Sequence, residues 1–438
     1  MTSRTAIVVG GGAAGISAAF WLQRAGVEVR VLEAGDAVGG RCRTVTQGDY
    51  RFDIGAGALP DTYDAVLRLV AALGIGHEVE KRGAVIGTLA DGRVHRIDRR
   101  RPQSFLGAKH LSAGEKAQLW KFGVELARMY RSINDDDLST AARFDVETVR
   151  QWSDRRRLPV ELRERFVAPL CRALFLVEPE QTSVVDLFGA AKALLVAGHL
   201  VTHRDGVGFF LDRAAVGLDV ALGASVRQVE RRTAGARVTW EDSAGAHTDD
   251  VDACVVALPG PAVPGVVTDL DATRRRYLET LQHSRAIVVH LGLREAPHER
   301  SSMVLVPRDV EPAMPVVGLG HNLAPGRAPA GGGVLATFFM TDWSAERWDD
   351  HDDKIVGLTC DLVDRHLPGW VDTVETTLVT RWDPALVASR PGTYRDLAAF
   401  QRACDPNDPI QLAGDYLARS SVNAAVRAGE RAAQRLTA

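Results

Sequence analysis

The chain has 438 residues, 46% hydrophobic and 25% charged, with a formal net charge of −3. That is the composition of a soluble globular protein long enough for two domains, and the charge argues against nucleic acid as the main partner. The five cysteines, Cys42, Cys171, Cys254, Cys360 and Cys404, are scattered and form no C-x-x-C pair, so reduced thiols in a cytoplasm are expected rather than a metal or redox pair.

The first strand begins almost at residue 5, so no signal peptide is expected. No apolar run approaches the ~18 residues that a membrane span needs. The most apolar region, Leu187 to Val201, carries Lys192 and His199 and reads as a buried helix. Peripheral membrane contact stays open.

Ala6-Ile7-Val8-Val9 is a buried-strand pattern, and Gly10-Gly11-Gly12-Ala13-Ala14-Gly15 follows it as G-x-G-x-x-G. A helical run with Ile16, Ala19, Phe20 and Leu22 ends at Gly26, and a second strand, Val27 to Leu32, stops at Glu33. Each part has a physical task. Gly10 permits the tight turn, Gly12 has no side chain to block a pyrophosphate, and Gly15 lets the helix lie close to the strand. The free N–H groups and the dipole at the helix start hold phosphates. Glu33 stands where an acid accepts hydrogen bonds from a ribose. The unit alone does not separate NAD from FAD.

Ala34-Gly35-Asp36-Ala37-Val38-Gly39-Gly40-Arg41 comes directly after Glu33. This stretch resembles the superfamily of flavin amine oxidases, protoporphyrinogen oxidases and phytoene desaturases, which carry LEA…GGR…T after the second strand. The resemblance implies FAD, with Ala34, Gly39, Gly40 and Arg41 beside its phosphates and flavin. Phe52-Asp53-Ile54-Gly55-Ala56-Gly57-Ala58 resembles the next block, where Gly57 and Ala58 let the chain pass the isoalloxazine ring. The implied architecture is α/β: a Rossmann-type, GR2-like FAD-binding domain (1–80, 205–282 and 375–438) with an interleaved α+β substrate domain (81–204 and 283–374).

Residues 62–73 read as a helix ended by Gly74 and Gly76, and 85–89 and 93–97 as a hairpin about Asp91-Gly92. Arg96 to Arg101 is a charge run best read as a solvated turn before Pro102. Ser112-Ala113-Gly114-Glu115 is a capping box that opens a helix to Ile133, with Leu119, Phe122, Leu126 and Met129 on its apolar face. Asp135-Asp136-Asp137 reads as a solvated loop, since it lacks metal-ligand spacing. Helices are expected over 146–153, 160–175 and 184–200, capping the substrate domain.

Gly206 to Leu211 restarts the flavin-domain pattern, with a helix from Phe210 to Val216 and a strand over 224–229. By the resemblance, Val226 packs at the adenine end. Strands at 237–240 and 254–258 follow, then a break at Pro259-Gly260-Pro261. Strands at 287–293, 303–306, 316–319 and 334–340, a helix over 353–366 and a strand over 376–381 make a second pass through the substrate domain. Trp382 to Tyr394 resembles the family's segment leading back to the flavin.

Gln411-Leu412-Ala413-Gly414-Asp415 reads as strand and turn, and 421–433 as a helix. The resemblance places Gly414 and Asp415 at the ribityl–phosphate region and the helix start, at Val422, toward the flavin pyrimidine. Asn423 departs from the usual Glu, but it still caps or hydrogen-bonds. A helix N-terminus there stabilises the negative charge of a reduced flavin.

Gly331-Gly332-Gly333 and Gly318-Leu319-Gly320 lack a strand-to-helix context, so no NAD(P)H site is expected. The expected chemistry is an oxidase or desaturase: hydride leaves a bulky organic substrate for flavin N5, and oxygen or another acceptor reoxidises the flavin. The amine-oxidising branch carries a Lys near N5 and an aromatic residue before the last helix. The matching positions here are His283-Ser284-Arg285-Ala286-Ile287 and Ser420 or Ser421. Both departures favour the protoporphyrinogen oxidase and desaturase branch. The alternatives are a flavin amine or amino-acid oxidase and a redox-neutral flavin isomerase; a binding protein without flavin conflicts with the intact glycine turn. No catalytic base stands out. His199, His203, His283, His290 and His321 each read better as structural, Arg285 as a surface ion pair, and Cys42 as a packed small residue.

Overall fold

The computed structural model describes residues 4–83, 85–98, 112–134 and 138–438, without the side chains of 194 and 195. Arg99 to Pro102 and the Asp135–Asp137 loop lie outside the described residues.

Five parallel strands form one sheet in the order Asp219–Leu222, Glu28–Glu33, Thr5–Val9, Ala253–Val256, Ile410–Leu412. The Thr5–Val9 strand is apolar on both faces because both are covered. Ala6 and Val8 pack under the first and last helices, while Ile7 and Val9 face a second core. The first helix, Ala13–Arg24, packs against the last, Val422–Thr437. A three-stranded antiparallel meander, Ser225–Arg232, Gly235–Asp242 and Gly245–Val251, extends from this unit.

A seven-stranded sheet makes the other half, in the order Val374–Trp382, Ala286–Leu293, Gly333–Phe338, Val316–Leu319, Met303–Leu305, Val85–Ala90, Arg93–Asp98. The Val374–Trp382 strand pairs along its length with Ala286–Leu293. The residues from 375 to 382 therefore sit in the second sheet, not with the parallel sheet as the sequence-based boundary had them. Ile287, Val289, Leu291 and Leu293 pack with Ile355 and Val363 of the helix Asp352–His366. Ala286, Val288 and His290 occupy the opposite face, where Phe52 lies 5.5 Å from the His290 ring.

Helices cover this assembly. Phe122, Trp152, Phe166 and Phe188 form an aromatic cluster with ring centroids 4.7–5.9 Å apart. The capping box at Ser112 forms, but its helix breaks at Leu119, whose N–H bonds back only three residues to the Lys116 carbonyl. Two helices result, Ala113–Gln118 and Trp120–Met129. The helix expected from 146 starts at Val149, because Thr148 and Gln151 form a capping box. The helix from Val184 stops at Val196. The Asp61 carboxylate then takes the N–H groups of Gly198 and His199, and Leu200–Thr202 becomes a strand.

Asn423 joins the last helix to the helix Asp64–Ala72. Its Oδ1 accepts from the N–H groups of Ala65 at 2.9 Å and Val66 at 3.3 Å, and its Nδ2 donates to Asp64. Arg427 pairs with Asp64, and Arg68 with Glu430. Asn423 is thus a cap supplied from another helix, satisfying donors that the Asp64–Ala72 helix leaves open. Replacing it, Asn423→Ala, is expected to cost about 1–2 kcal/mol. A urea midpoint equal to that of the wild type would rule this cap out as a source of stability.

Candidate functional site

The glycine turn is built by close contact. Gly10 has φ +97, and a Cβ there would lie 2.9 Å from the Ala257 carbonyl oxygen. A Cβ on Gly15 would stand 1.8 Å from the Gly10 oxygen, so the helix can lie this close to the strand only without a side chain. Nothing lies within 4 Å of a Cβ on Gly12 or on Gly57. Those two positions face open space, which is what a phosphate or a ring stacked on the backbone requires.

Glu33 ends the second strand and accepts from the N–H of Gly11 at 2.6 Å and of Gly35 at 2.7 Å. Each of its oxygens keeps lone-pair capacity for a ribose hydroxyl. The backbone of Gly39 crosses the turn, donating to the Gly11 oxygen at 2.8 Å, with Gly12 bridged to Gly39. Ala34 is exposed at the mouth of the turn. Beyond it, Gly223 and Ala224 donate to the Gly35 and Glu33 carbonyls. Val226, opposite Trp240, follows two residues later.

Arg41 lies where the two ends of the chain meet. Its Nη2 is 3.1 Å from Asp415 Oδ1, and its Nη1 donates to the Ala385 carbonyl. Asp415 is buried and Arg41 is partly open. The Arg41 carbonyl accepts from the Ala56 N–H at 2.9 Å, which brings the Gly55–Ala58 stretch alongside. Gly414 is extended, and a Cβ there would run into the Tyr416 ring at 2.3 Å. Ser421 caps the last helix by accepting from the Ala424 N–H at 3.1 Å, and Val422 begins the helix. The carbonyl of Ala14, next to Ala13 in the first turn of its helix, lies 2.1 Å from where a Cβ on Gly429 would be. The positions expected from sequence thus gather along one track, from Glu33 past the glycine turn to Arg41, Asp415 and the last helix. An open backbone cradle, a carboxylate with spare lone pairs, a cation and a helix start are donors and acceptors that fit a dinucleotide.

The remaining expectations resolve individually. Arg285 pairs with Asp383 and lies over the Trp348 ring at 4.8 Å, a surface ion pair. Burial pushes the Cys42 thiol well above its usual range, so it is a packed side chain. His199 lies 3.5 Å from Asp61, His203 stacks on Phe209, and His321 bonds the Val334 backbone. The stretch His283 to Ile287 runs into the Ala286–Leu293 strand. There Leu176, Ala286, Val288 and Ala385, with Phe338 and Trp382, form an apolar cluster.

Sequence reasoning missed Asp186. It is the one acidic residue of the Val184–Val196 helix, whose other charged side chain is Lys192, and an acid among so many apolar neighbours was the available signal. Its Oδ1 accepts from the Tyr394 hydroxyl, and Ser389 donates to Tyr394 at 3.2 Å. Asp145 sits beside it, holding Ser183 and the Tyr394 N–H. Burial pushes the Asp186 carboxyl up to about 7.

The family model for flavin-containing amine oxidoreductases matches residues 13–437. AofH of Mycobacterium tuberculosis, named as a flavin-containing monoamine oxidase, is 30% identical over 271 residues; the match spans 58% of this chain and only 56% of AofH. Coproporphyrinogen III oxidase of Mycobacterium bovis is 27% identical over 463 residues, spanning 99% and 97% of the two chains. A putrescine oxidase redesigned in its cofactor binding shares the fold, with a TM-score of 0.81 at 19% identity over 99% of each chain.

Two outcomes are expected. Gly15→Ala should abolish flavin retention on purification, read from the visible spectrum; a variant that stays fully loaded would mean the turn relaxes freely. Asp186 holds its proton up to about pH 7 when folded and to its ordinary carboxylate range when unfolded. Its stabilising contribution is therefore complete below about pH 4, falls as pH rises toward 7, and is flat above. Urea unfolding at pH 5, 7 and 8 should show Asp186→Asn removing a slope of up to about 1.4 kcal/mol per pH unit. Parallel profiles for variant and wild type would show that Asp186 titrates alike in both states.

Proposed function

The chain belongs to the flavin-containing amine oxidoreductase family, and from that membership we propose that it oxidises a bulky organic molecule, passing the electrons to oxygen or another acceptor. Its cofactor is FAD. When bound, FAD accepts two electrons as a hydride at N5.

The chain's own residues do the rest. The backbone of Gly10 to Gly15 and the start of the first helix hold the pyrophosphate, and Glu33 the adenosine ribose. Arg41 and Asp415 fix the ribityl–phosphate section, and the helix starting at Val422 offers its positive end to charge on the flavin. The buried apolar cluster of Leu176, Ala286, Val288, Phe338 and Ala385 would give an apolar substrate a dry neighbour. With FAD held there, these residues would orient the substrate's C–H or N–H bond and leave its proton a path to solvent.

The observation that carries this reading is Ala286. It lies in the stretch His283 to Ile287, which matches the place where the amine-oxidising branch carries a lysine and holds none, it opens the strand, and it is buried among apolar neighbours. This supports oxidation in a porphyrinogen- or polyene-sized substrate. Amine oxidation is the second reading, favoured by the partial match to AofH. A cytoplasmic location goes with either; among the described residues no helix is long and apolar enough to cross a membrane.

The test is anaerobic bleaching of the flavin band with a panel of primary and secondary amines, amino acids, a porphyrinogen and isoprenoid polyenes. Bleaching by the porphyrinogen or a polyene, reversed by air, is the expected result. Bleaching by amines alone would transfer the chain to the second reading. Activity that appears only after chemical reduction of the flavin, with no net oxidation, would overturn both.

A further inference from the structure

The helices Ala113–Gln118 and Trp120–Met129 carry an apolar row that the fold does not use. Their inner side is Leu119, Phe122, Leu126 and Met129, packed into the core. On the outer side Ala113, Ala117, Trp120, Val124 and Ala127 recur at alternating steps of four and three residues, and all five are exposed. That spacing puts them in one line along a helix. The break at Leu119 leaves the line intact. Leu119 keeps helical φ −66 and ψ −16, and its carbonyl accepts from the Gly123 N–H at 3.0 Å. Trp120 is 62% exposed and Val124 49%. Of the eight tryptophans, Trp120 alone is exposed. Tryptophan is highly buried on average, so an exposed one at the centre of an apolar row marks a contact surface.

The charges that border this row are mostly of one sign. By helical spacing Lys116 lies on one side of it and Lys121 and Arg128 on the other, and Arg131 follows at its C-terminal end. Lys121 donates to the Arg156 and Arg157 carbonyls at 3.1 and 3.4 Å, which brings the exposed Arg157 alongside. The two acids here are engaged. Glu115 closes the capping box at Ser112, and Glu125 is buried between Arg128 and Arg156. Four cations thus stand against two acids on this stretch, in a chain whose net charge is −3.

We propose that this helix face docks on the surface of an anionic lipid bilayer. Trp120 and Val124 enter the headgroup layer, and Lys116, Lys121, Arg128 and Arg131 meet lipid phosphates. A basic amphipathic helix with tryptophan on its apolar side is suited to lie in a bilayer interface. The long Lys and Arg stems reach past the short alanines of the row. The area selects lipid over protein. A stable protein interface takes about 800 Å² from each partner. One tryptophan supplies about 150–250 Å², and a valine with three alanines does not make up the rest. Insertion into lipid needs no matching surface. Bilayer docking holds whichever substrate is oxidised.

The test is flotation of the purified flavoprotein with phosphatidylcholine vesicles, with and without phosphatidylglycerol. The wild type should float only where phosphatidylglycerol is present, and added salt should release it. Trp120→Ala should weaken partitioning roughly 10–100-fold, the size expected for losing a large buried apolar side chain. Arg131→Gln should weaken it about fivefold, the share of one cation near an anionic surface. Both side chains are exposed, so the flavin spectrum and the urea midpoint should match the wild type. Brominated phosphatidylglycerol should quench part of the wild-type tryptophan emission and leave that of Trp120→Phe unchanged. Failure to float, flotation without phosphatidylglycerol, equal partitioning of wild type and Trp120→Ala, or equal quenching of wild type and Trp120→Phe would overturn the proposal. A change of oligomeric state in Trp120→Ala, with no lipid binding by the wild type, would overturn it in favour of a second copy of the chain.

Discussion

The first helix is held against bare backbone on two sides, and the rest of the molecule is arranged around that contact. On one side Gly15 rests on the Gly10 carbonyl; on the other, Gly429 of the last helix meets the Ala14 carbonyl and the Ala18 N–H. The Ser17 hydroxyl donates to the Val426 carbonyl at 2.8 Å in the same seam. Close packing of this kind leaves no slack for a methyl group. It fixes where the last helix starts, and so where Ser421 and Val422 stand relative to Arg41 and Asp415. The helix Asp64–Ala72 is then placed by the Asn423 cap and the Arg68–Glu430 pair.

Local chemistry of this sort is legible in a sequence. The glycine turn, the end of the second strand at Glu33, the capping box at Ser112 and the hairpin at Asp91-Gly92 each depend on a few consecutive residues, and each forms as expected. What was hidden depends on partners. Asp219–Leu222 is a four-residue strand between Gly217 and Gly223, both at positive φ, and it is a strand because the edge at Glu28–Glu33 receives it. The Val374–Trp382 pattern is compatible with either sheet, and only pairing with Ala286–Leu293 decides. The helix Thr393–Ala403 does carry a signal, with Tyr394, Leu397, Ala398 and Phe400 on its buried face, but its first turn overlaps the Trp382–Tyr394 stretch that resembles a connecting segment.

The candidate site divides the same way. Its expected cofactor side is written largely in three short stretches, 10–15, 33–41 and 414–422. The apolar cluster beside the Ala286–Leu293 strand is assembled from Leu176, Ala286, Phe338 and Ala385, residues brought together only by tertiary packing. Asp186 illustrates the cost of that separation: its partners Tyr394 and Ser389 are about two hundred positions away, and nothing near it in the chain announces them.

The Ser17–Val426 contact also has a temporal meaning. The two residues are separated by 409 positions. At synthesis rates of about 5–20 residues per second, the first helix waits roughly 20–80 s for the segment that covers it. During that interval its Ala14 and Ala18 face is bare on the nascent chain, and the fifth strand of the parallel sheet does not yet exist. The element that begins the nucleotide fold is therefore made long before it is buried.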